Sequence, residues 1–211
     1  MAKRKVLQSE ERENSKNAVF LNVPYDEQFT QLFLAYVVGI RGYGLIPHAT
    51  IEIPGGARRL ERIGSLIRSC AYSIHDLSRV ELDPAPPPTP RFNMPFELGM
   101  AVAFHWSRRA KHTWFVLETE KWRIQKSLSD LNGTDIYVHG GTPEGVFREL
   151  AKAFVRELRQ PTVKQLRTIY REIGNKLPKF LDDAGSDDPF QARVFQDISV
   201  YAGVLAQQIM S

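Results

Sequence analysis

Apolar residues along this chain come in short unbroken runs, separated by longer stretches in which they recur every three or four positions. The first rhythm suits strands buried on both faces, and the second suits amphipathic helices. Ala18-Val19-Phe20-Leu21-Asn22-Val23 is one such run; Leu45–Ile51, Tyr72–Leu77 and His112–Leu117 repeat it, with a short fifth at Asp135–His139. Between them, Asp26 is placed to cap a helix reaching about Gly39, with Phe29, Leu32, Phe33, Tyr36 and Val37 on one stripe. Leu60, Ile63, Leu66 and Ile67 predict a helix over Arg58–Cys70, and Asn93 is a fitting cap for another over Met94–Trp106. Val146, Phe147, Leu150, Ala151 and Phe154 mark a third over Pro143–Leu158. Ser78–Pro90 holds five prolines in thirteen residues and cannot be regular.

Strands alternating with helices imply right-handed parallel crossovers. The expected fold is therefore α/β, a doubly wound, mainly parallel five-stranded sheet of flavodoxin-like order. The last fifty residues differ in kind. Val163, Leu166, Ile169, Tyr170, Ile173 and Leu177 mark one amphipathic helix, and Phe190, Val194, Phe195, Ile198, Tyr201 and Leu205 another, joined by an acidic turn over Asp182–Pro189. Three parts follow: a polar arm at 1–17, the α/β domain at 18–160, and a C-terminal helical hairpin at 161–211. Two stripes of large apolar residues on that extension lead us to expect a homo-oligomer built through 161–211, with cover for a sheet edge as the alternative.

Composition narrows the setting. With 43% hydrophobic and 25% charged residues the chain is globular. The longest apolar run, Leu32–Ile40, is far short of the roughly 20 residues that span a bilayer, so no membrane association is expected. Lys3-Arg4-Lys5 is not followed by an apolar leader segment, and the single cysteine, Cys70, suits a reducing compartment; a cytoplasmic location is expected. A net charge of +4 spread among interleaved acids and bases reads as a solvated surface rather than a nucleic-acid surface. The five histidines are scattered without ligand spacing, so no metal site is expected. Neither a Gly-x-Ser-x-Gly elbow nor a Walker loop is present, although Gly55-Gly56 beside Arg58 and Arg59 could receive a phosphate.

Doubly wound sheets bind ligands outside the carboxyl ends of their strands, at the switch point in strand order. Asn22 ends the first strand, Asp76 lies near the end of the third, and Glu97 opens the helix after the proline loop, so all three should meet there. In a first helical turn Glu97 would also be favoured by the macrodipole, with a lowered pKa.

The string Met94-Pro95-Phe96-Glu97-Leu98-Gly99-Met100-Ala101 resembles the nucleophile motif of the nucleoside 2-deoxyribosyltransferase family, with Asp76 matching the aspartate that ends that family's preceding strand. The resemblance covers about residues 18 to 160. It implies that Glu97 attacks an anomeric carbon and that Asp76 places the base or transfers a proton. Toll/interleukin-receptor-like NAD hydrolases share a related sheet and place a glutamate similarly. The fuller pattern, Phe20-Leu21-Asn22-Val23-Pro24-Tyr25-Asp26 with Ile74-His75-Asp76-Leu77-Ser78-Arg79, is similar to a bacterial group regarded as nucleotide-binding. Here a proline loop and Arg91-Phe92-Asn93 lead into the glutamate, in place of the family's acidic, small-residue approach.

The implied activity is cleavage of a C1′–N bond in a nucleoside or nucleotide, by hydrolysis or transfer, with Glu97 and Asp76 catalytic. NAD enters as a substrate, and no resident cofactor is implied. The alternatives are an NAD hydrolase of Toll/interleukin-receptor type and a nucleotide sensor signalling through its C-terminal helices. Asn22, Tyr25, His75, Arg79, Arg91 and Asn93 complete the expected ligand-binding set. Among them Tyr25 could stack on a base, His75 could donate a proton, and Arg79 or Arg91 could meet a phosphate.

Overall fold

A computed structural model describes residues 16–56, 58–79, 82–83, 86–107, 112–155 and 160–210. Apart from residues 16 and 17, the expected polar arm lies outside the described residues. The main strands are β1 (Ala18–Asn22), β2 (Ile46–Ala49), β3 (Tyr72–Asp76), β4 (Thr113–Glu118) and β5 (Ile136–Val138). They form one sheet in the order β2-β1-β3-β4-β5 with every pairing parallel, which is the flavodoxin-like order. The helices are α1 (Thr30–Gly42), α2 (Arg59–Ser69), α3 (Asn93–Trp106), the short α4 (Arg123–Ser127), α5 (Pro143–Ala153), α6 (Val163–Ala184) and α7 (Ala192–Met210).

The period of two in β1 sorts the core. Ala18 and Phe20 pack with Ile63, Ile67, Cys70 and Ala101 on the side of α2 and α3. Val19 and Leu21 face the other way, into a larger cluster with Phe33, Val37, Phe147 and Leu150 from α1 and α5. Pro47 interrupts only the edge strand β2, where a missing amide donor is tolerated.

The hairpin packs on its own domain. Helices α6 and α7 pack on each other and on α1, as a further layer over one face of the domain. Leu166, Ile169, Ile173, Val194, Phe195, Ile198 and Ala202 are buried in the α1 cluster, so most of both stripes is occupied within the chain. Contact is close enough that a Cβ at Gly42 would collide with Leu166, and one at Gly203 with the Arg41 guanidinium. Helix α6 starts on a Thr162–Gln165 capping box and stops where Gly185 turns left-handed at φ 61°.

Local differences from the sequence reading have identifiable causes. Asp26 does not cap with its side chain, because that carboxylate faces Arg79 and Arg91; a 3-10 turn, Glu27–Phe29, leads into α1 instead. Asn93 is the first residue of α3, preceded by Phe92 at the cap position without a side-chain bond, which moves Glu97 into the second turn. Strand β2 ends early, at a 3-10 turn over Thr50–Glu52. The proline segment is not wholly irregular: Leu82–Asp83 pairs antiparallel with Thr89–Pro90 in a minimal ribbon.

Candidate functional site

The carboxyl ends of β1 and β2 open into a cavity of about 450 Å³. Asn22 through Tyr25 and Thr50 form its floor, Arg59, Leu60 and Ile63 of α2 one wall, and Arg91 with the first turns of α3 the other. Asn22, Tyr25, Arg91, Asn93 and Glu97 of the expected set meet here. Asp76, His75 and Arg79 do not line it.

Glu97 is the acid of this cavity. It is only 8% exposed, and its carboxylate has no hydrogen-bond or ion-pair partner among the described residues. Burial raises its pKa to about 7, against a smaller downward pull from Arg59. The lowering expected from a first-turn position is thus overturned, since desolvation outweighs a dipole felt from the second turn. The Arg59 guanidinium is tethered by its donors to the Ile53 carbonyl at 2.8 Å and the Thr50 carbonyl at 3.3 Å. Leu60 and Phe96 line the same space while remaining largely exposed, giving the mouth an apolar lip.

Arginines from both ends of the proline segment converge on Asp26. Arg79 lies 3.6 Å and Arg91 3.8 Å from Asp26 Oδ2, and neither carboxylate oxygen accepts a hydrogen bond from the described residues. Arg79 instead donates to Gln28 at 2.6 Å, outside the cavity. Arg91 and Arg59 are the cations that reach the cavity lining. Tyr25 lines the cavity too, but its hydroxyl accepts from Thr50 and its ring packs against Phe33 and Phe190 at centroid distances of 6.4 and 5.7 Å.

Asp76 has a different occupation. It is fully buried and accepts from Tyr36 Oη at 2.6 Å, the Ser78 amide at 2.8 Å and His139 Nε2 at 3.1 Å. Burial alone would push its carboxyl up, but His139, Ser78 and Tyr36 together hold it below the usual range. With its oxygens engaged in a sealed site it holds the β3 end to α1 and to the loop after β5.

His75 is likewise fully buried, and both ring nitrogens are occupied, by Asn22 at 2.8 Å and Ser73 at 2.9 Å. Burial, with a smaller contribution from His112, drives its pKa down to about 3, so it is a neutral link rather than a proton donor. Burial also pushes the Cys70 thiol up to about 12, in keeping with a packed, unreactive sulfur.

Among the described residues no group of three His, Cys, Asp or Glu is arranged to hold a metal ion, and no helix is long and apolar enough to cross a membrane. Compared with protein-family models, curated proteins and solved structures, the chain matches none.

Sequence reasoning missed Thr50, Leu60 and Ile63 in the lining and gave Arg59 only a general phosphate role. The signal for them was topological: β2 lies beside β1, so whatever follows β2 must border the same opening. It also missed the polar row on β3, where Ser73 and His75 alternate with apolar Ile74 on a central strand. Polar residues at period two in a fully buried strand need partners, and that requirement was visible.

Proposed function

We propose that the protein breaks a C1′–N glycosidic bond in a nucleoside or nucleotide, with Glu97 as the acting carboxylate. One observation carries this: Glu97 is buried, has no partner among the described residues, and faces the cavity at the carboxyl ends of β1 and β2 with its pKa raised to about 7. A structural carboxylate gathers donors, as Asp76 does. One left without them, in a site able to hold a ligand, is set for a partner that arrives with the ligand.

In this reaction a Glu97 oxygen bonds to C1′ as the C1′–N bond breaks, and the electron pair leaves on the base nitrogen. Water or a second nucleophile then displaces the glutamate from the sugar. The transition state is oxocarbenium-like, and its positive charge favours the ionised form of a group that is about half ionised near neutrality. Arg59 and Arg91 give the cavity lining cations suited to a phosphate, and Phe96 offers an exposed ring on which a base could stack.

Two observations favour other readings. With Asp76 outside the cavity, no second carboxylate among the described residues is placed to protonate a departing base, which suits a base that leaves already cationic, as nicotinamide does from NAD. In addition, Tyr25 joins the cavity to Phe190 at the entry to α7, a contact through which a bound nucleotide could act on the hairpin without turnover. The test is to incubate the protein with nucleosides, nucleoside monophosphates and NAD and to follow free base by chromatography. Release that falls by about 10²–10³ or more in Glu97→Gln supports cleavage. Ligand-raised Tm without release supports sensing, and wild-type release by the variant removes Glu97 from the mechanism.

A further inference from the structure

A buried hydrogen-bond chain runs from the far side of β3 to the cavity, and both of its ends are backbone carbonyls. The Cys70 carbonyl lies 2.8 Å from His112 Nδ1, and His112 Nε2 lies 2.9 Å from Ser73 Oγ. Ser73 Oγ lies 2.9 Å from His75 Nε2, and His75 Nδ1 lies 2.8 Å from Asn22 Nδ2, which also reaches the Met94 carbonyl at 2.9 Å.

A carbonyl only accepts, so His112 Nδ1 carries a hydrogen. In the neutral ring Nε2 is then bare and accepts from the Ser73 hydroxyl. Ser73 Oγ in turn accepts from His75 Nε2–H, which leaves His75 Nδ1 bare. Only an amide N–H can face that nitrogen, and the second N–H of the same group meets Met94. Every member is satisfied in this order. The reverse order needs a doubly protonated His112, which burial disfavours by lowering its pKa, and it would also set the Asn22 oxygen against the Met94 carbonyl. A neutral His112 with His75 turned to its other tautomer would set two bare acceptors, His112 Nε2 and Ser73 Oγ, against each other.

We infer that this chain is an orientation lock which fixes the Asn22 amide with both hydrogens directed into the protein, so that Asn22 offers the cavity only its carbonyl oxygen. The ligand group that docks beside Glu97 is therefore a hydrogen-bond donor. On the proposed reading, which this deepens, that donor is a sugar hydroxyl, and the lock makes Asn22 a specificity-determining residue. The Met94 contact gives Asn22 a second task, since it ties β1 to the first turn of α3, one turn ahead of Glu97.

Imidazole ¹⁵N spectra test the lock in the intact wild-type protein, with no ligand. The expected result is a bare Nδ1 and protonated Nε2 on His75, with the opposite arrangement on His112. A protonated His75 Nδ1 would overturn the lock, because Asn22 would then have to turn its oxygen inward. Ser73→Ala, remote from the cavity, should release His75 into a tautomer mixture; unchanged His75 shifts in that variant would also overturn it. For the ligand, AMP is compared with its 2′-deoxy and 3′-deoxy forms by calorimetry. At least one deoxy form should bind 10-fold or more weakly, and Asn22→Leu should level the difference. Equal affinities, or no binding by any of the three, overturn the hydroxyl assignment. A protein that discriminates among them but releases no base loses the cleavage reading and keeps this one.

Discussion

Replacing Glu97 with glutamine should stabilise the protein at alkaline pH. The unfolded chain ionises this carboxyl near 4.5, whereas the folded site holds it back to about 7. Below the lower value both states are protonated and the group contributes nothing. Between the two the unfolded state loses its proton first, so native stability falls as pH rises, and above about 7 the loss is complete. Each tenfold change in proton affinity is worth ~1.4 kcal/mol, so a rise from 4.5 to about 7 corresponds to about 3 kcal/mol. Glutamine has a similar size and no charge to desolvate, and it resembles the protonated acid. The variant should therefore match wild type near pH 4.5 and exceed it by up to about 3 kcal/mol at pH 8. Urea titrations of both proteins at each pH measure this. Neutral His75 and His112, which weaken the fold as pH falls below their unfolded range, affect both proteins alike and cancel in the difference. A Glu97→Gln variant no more stable than wild type at pH 8 would refute the reasoning, because the carboxylate would then not carry the desolvation cost that its burial implies.

One further substitution and one truncation separate the scaffold from the site. Asp76→Asn should cost about 3–5 kcal/mol in urea denaturation at pH 7, because an amide cannot accept from Tyr36, Ser78 and His139 together; a loss under about 1 kcal/mol would count against its scaffold role. The Asp76 contribution should be present above its unfolded pKa of 3.8 and vanish as pH falls through the lower folded value. Ending the chain at Gln160 should give an aggregated or unfolded product by light scattering and circular dichroism, since it strips Phe190 and Phe195 from Phe33, at centroid distances of 5.1 and 5.8 Å, along with the rest of the α1 cover. A soluble, folded truncate would return the hairpin to the role of an independent appendage.

The sheet order was legible because each buried strand is a compact apolar run and each crossover helix has its own stripe. Glycine and proline punctuation located the elements to within a few residues. The hairpin's destination was less legible. Its stripes show that two faces must be buried but not against what, and the receiving surface on α1 is apolar nearly all round, from Leu32 to Ile40, a pattern that signals burial on every side. In hindsight that was the clue, since a crossover helix covered only by its sheet needs one apolar face. At the site, Glu97 and Asn22 were readable from strand ends and switch-point geometry. The fate of Asp76 was not. It depends on Tyr36, in the middle of α1, and His139, after β5, whose convergence is a tertiary fact without local signature.

The two carboxylates near this end of the sheet make the argument for function sharper than either does alone. The same backbone order carries both, yet Asp76 draws three donors and falls below its usual range, while Glu97 draws none from the described residues and rises to about 7. Folding favours the first arrangement, because a buried acid without donors weakens the native state, and such groups are rare in cores for that reason. The second persists against that pressure at a position where Arg59 and Arg91, an exposed aromatic ring and an oriented amide surround open space. Were Glu97 only a helix residue, a glutamine or a leucine would serve the fold better at neutral pH. Its presence is most simply explained if the ligand supplies what the protein withholds: a hydroxyl to bond, or a carbon that becomes positive as a bond to nitrogen breaks. The added stability of the Glu97→Gln variant and its loss of base release would then be two measurements of one cause, a carboxylate kept ready at the expense of the fold.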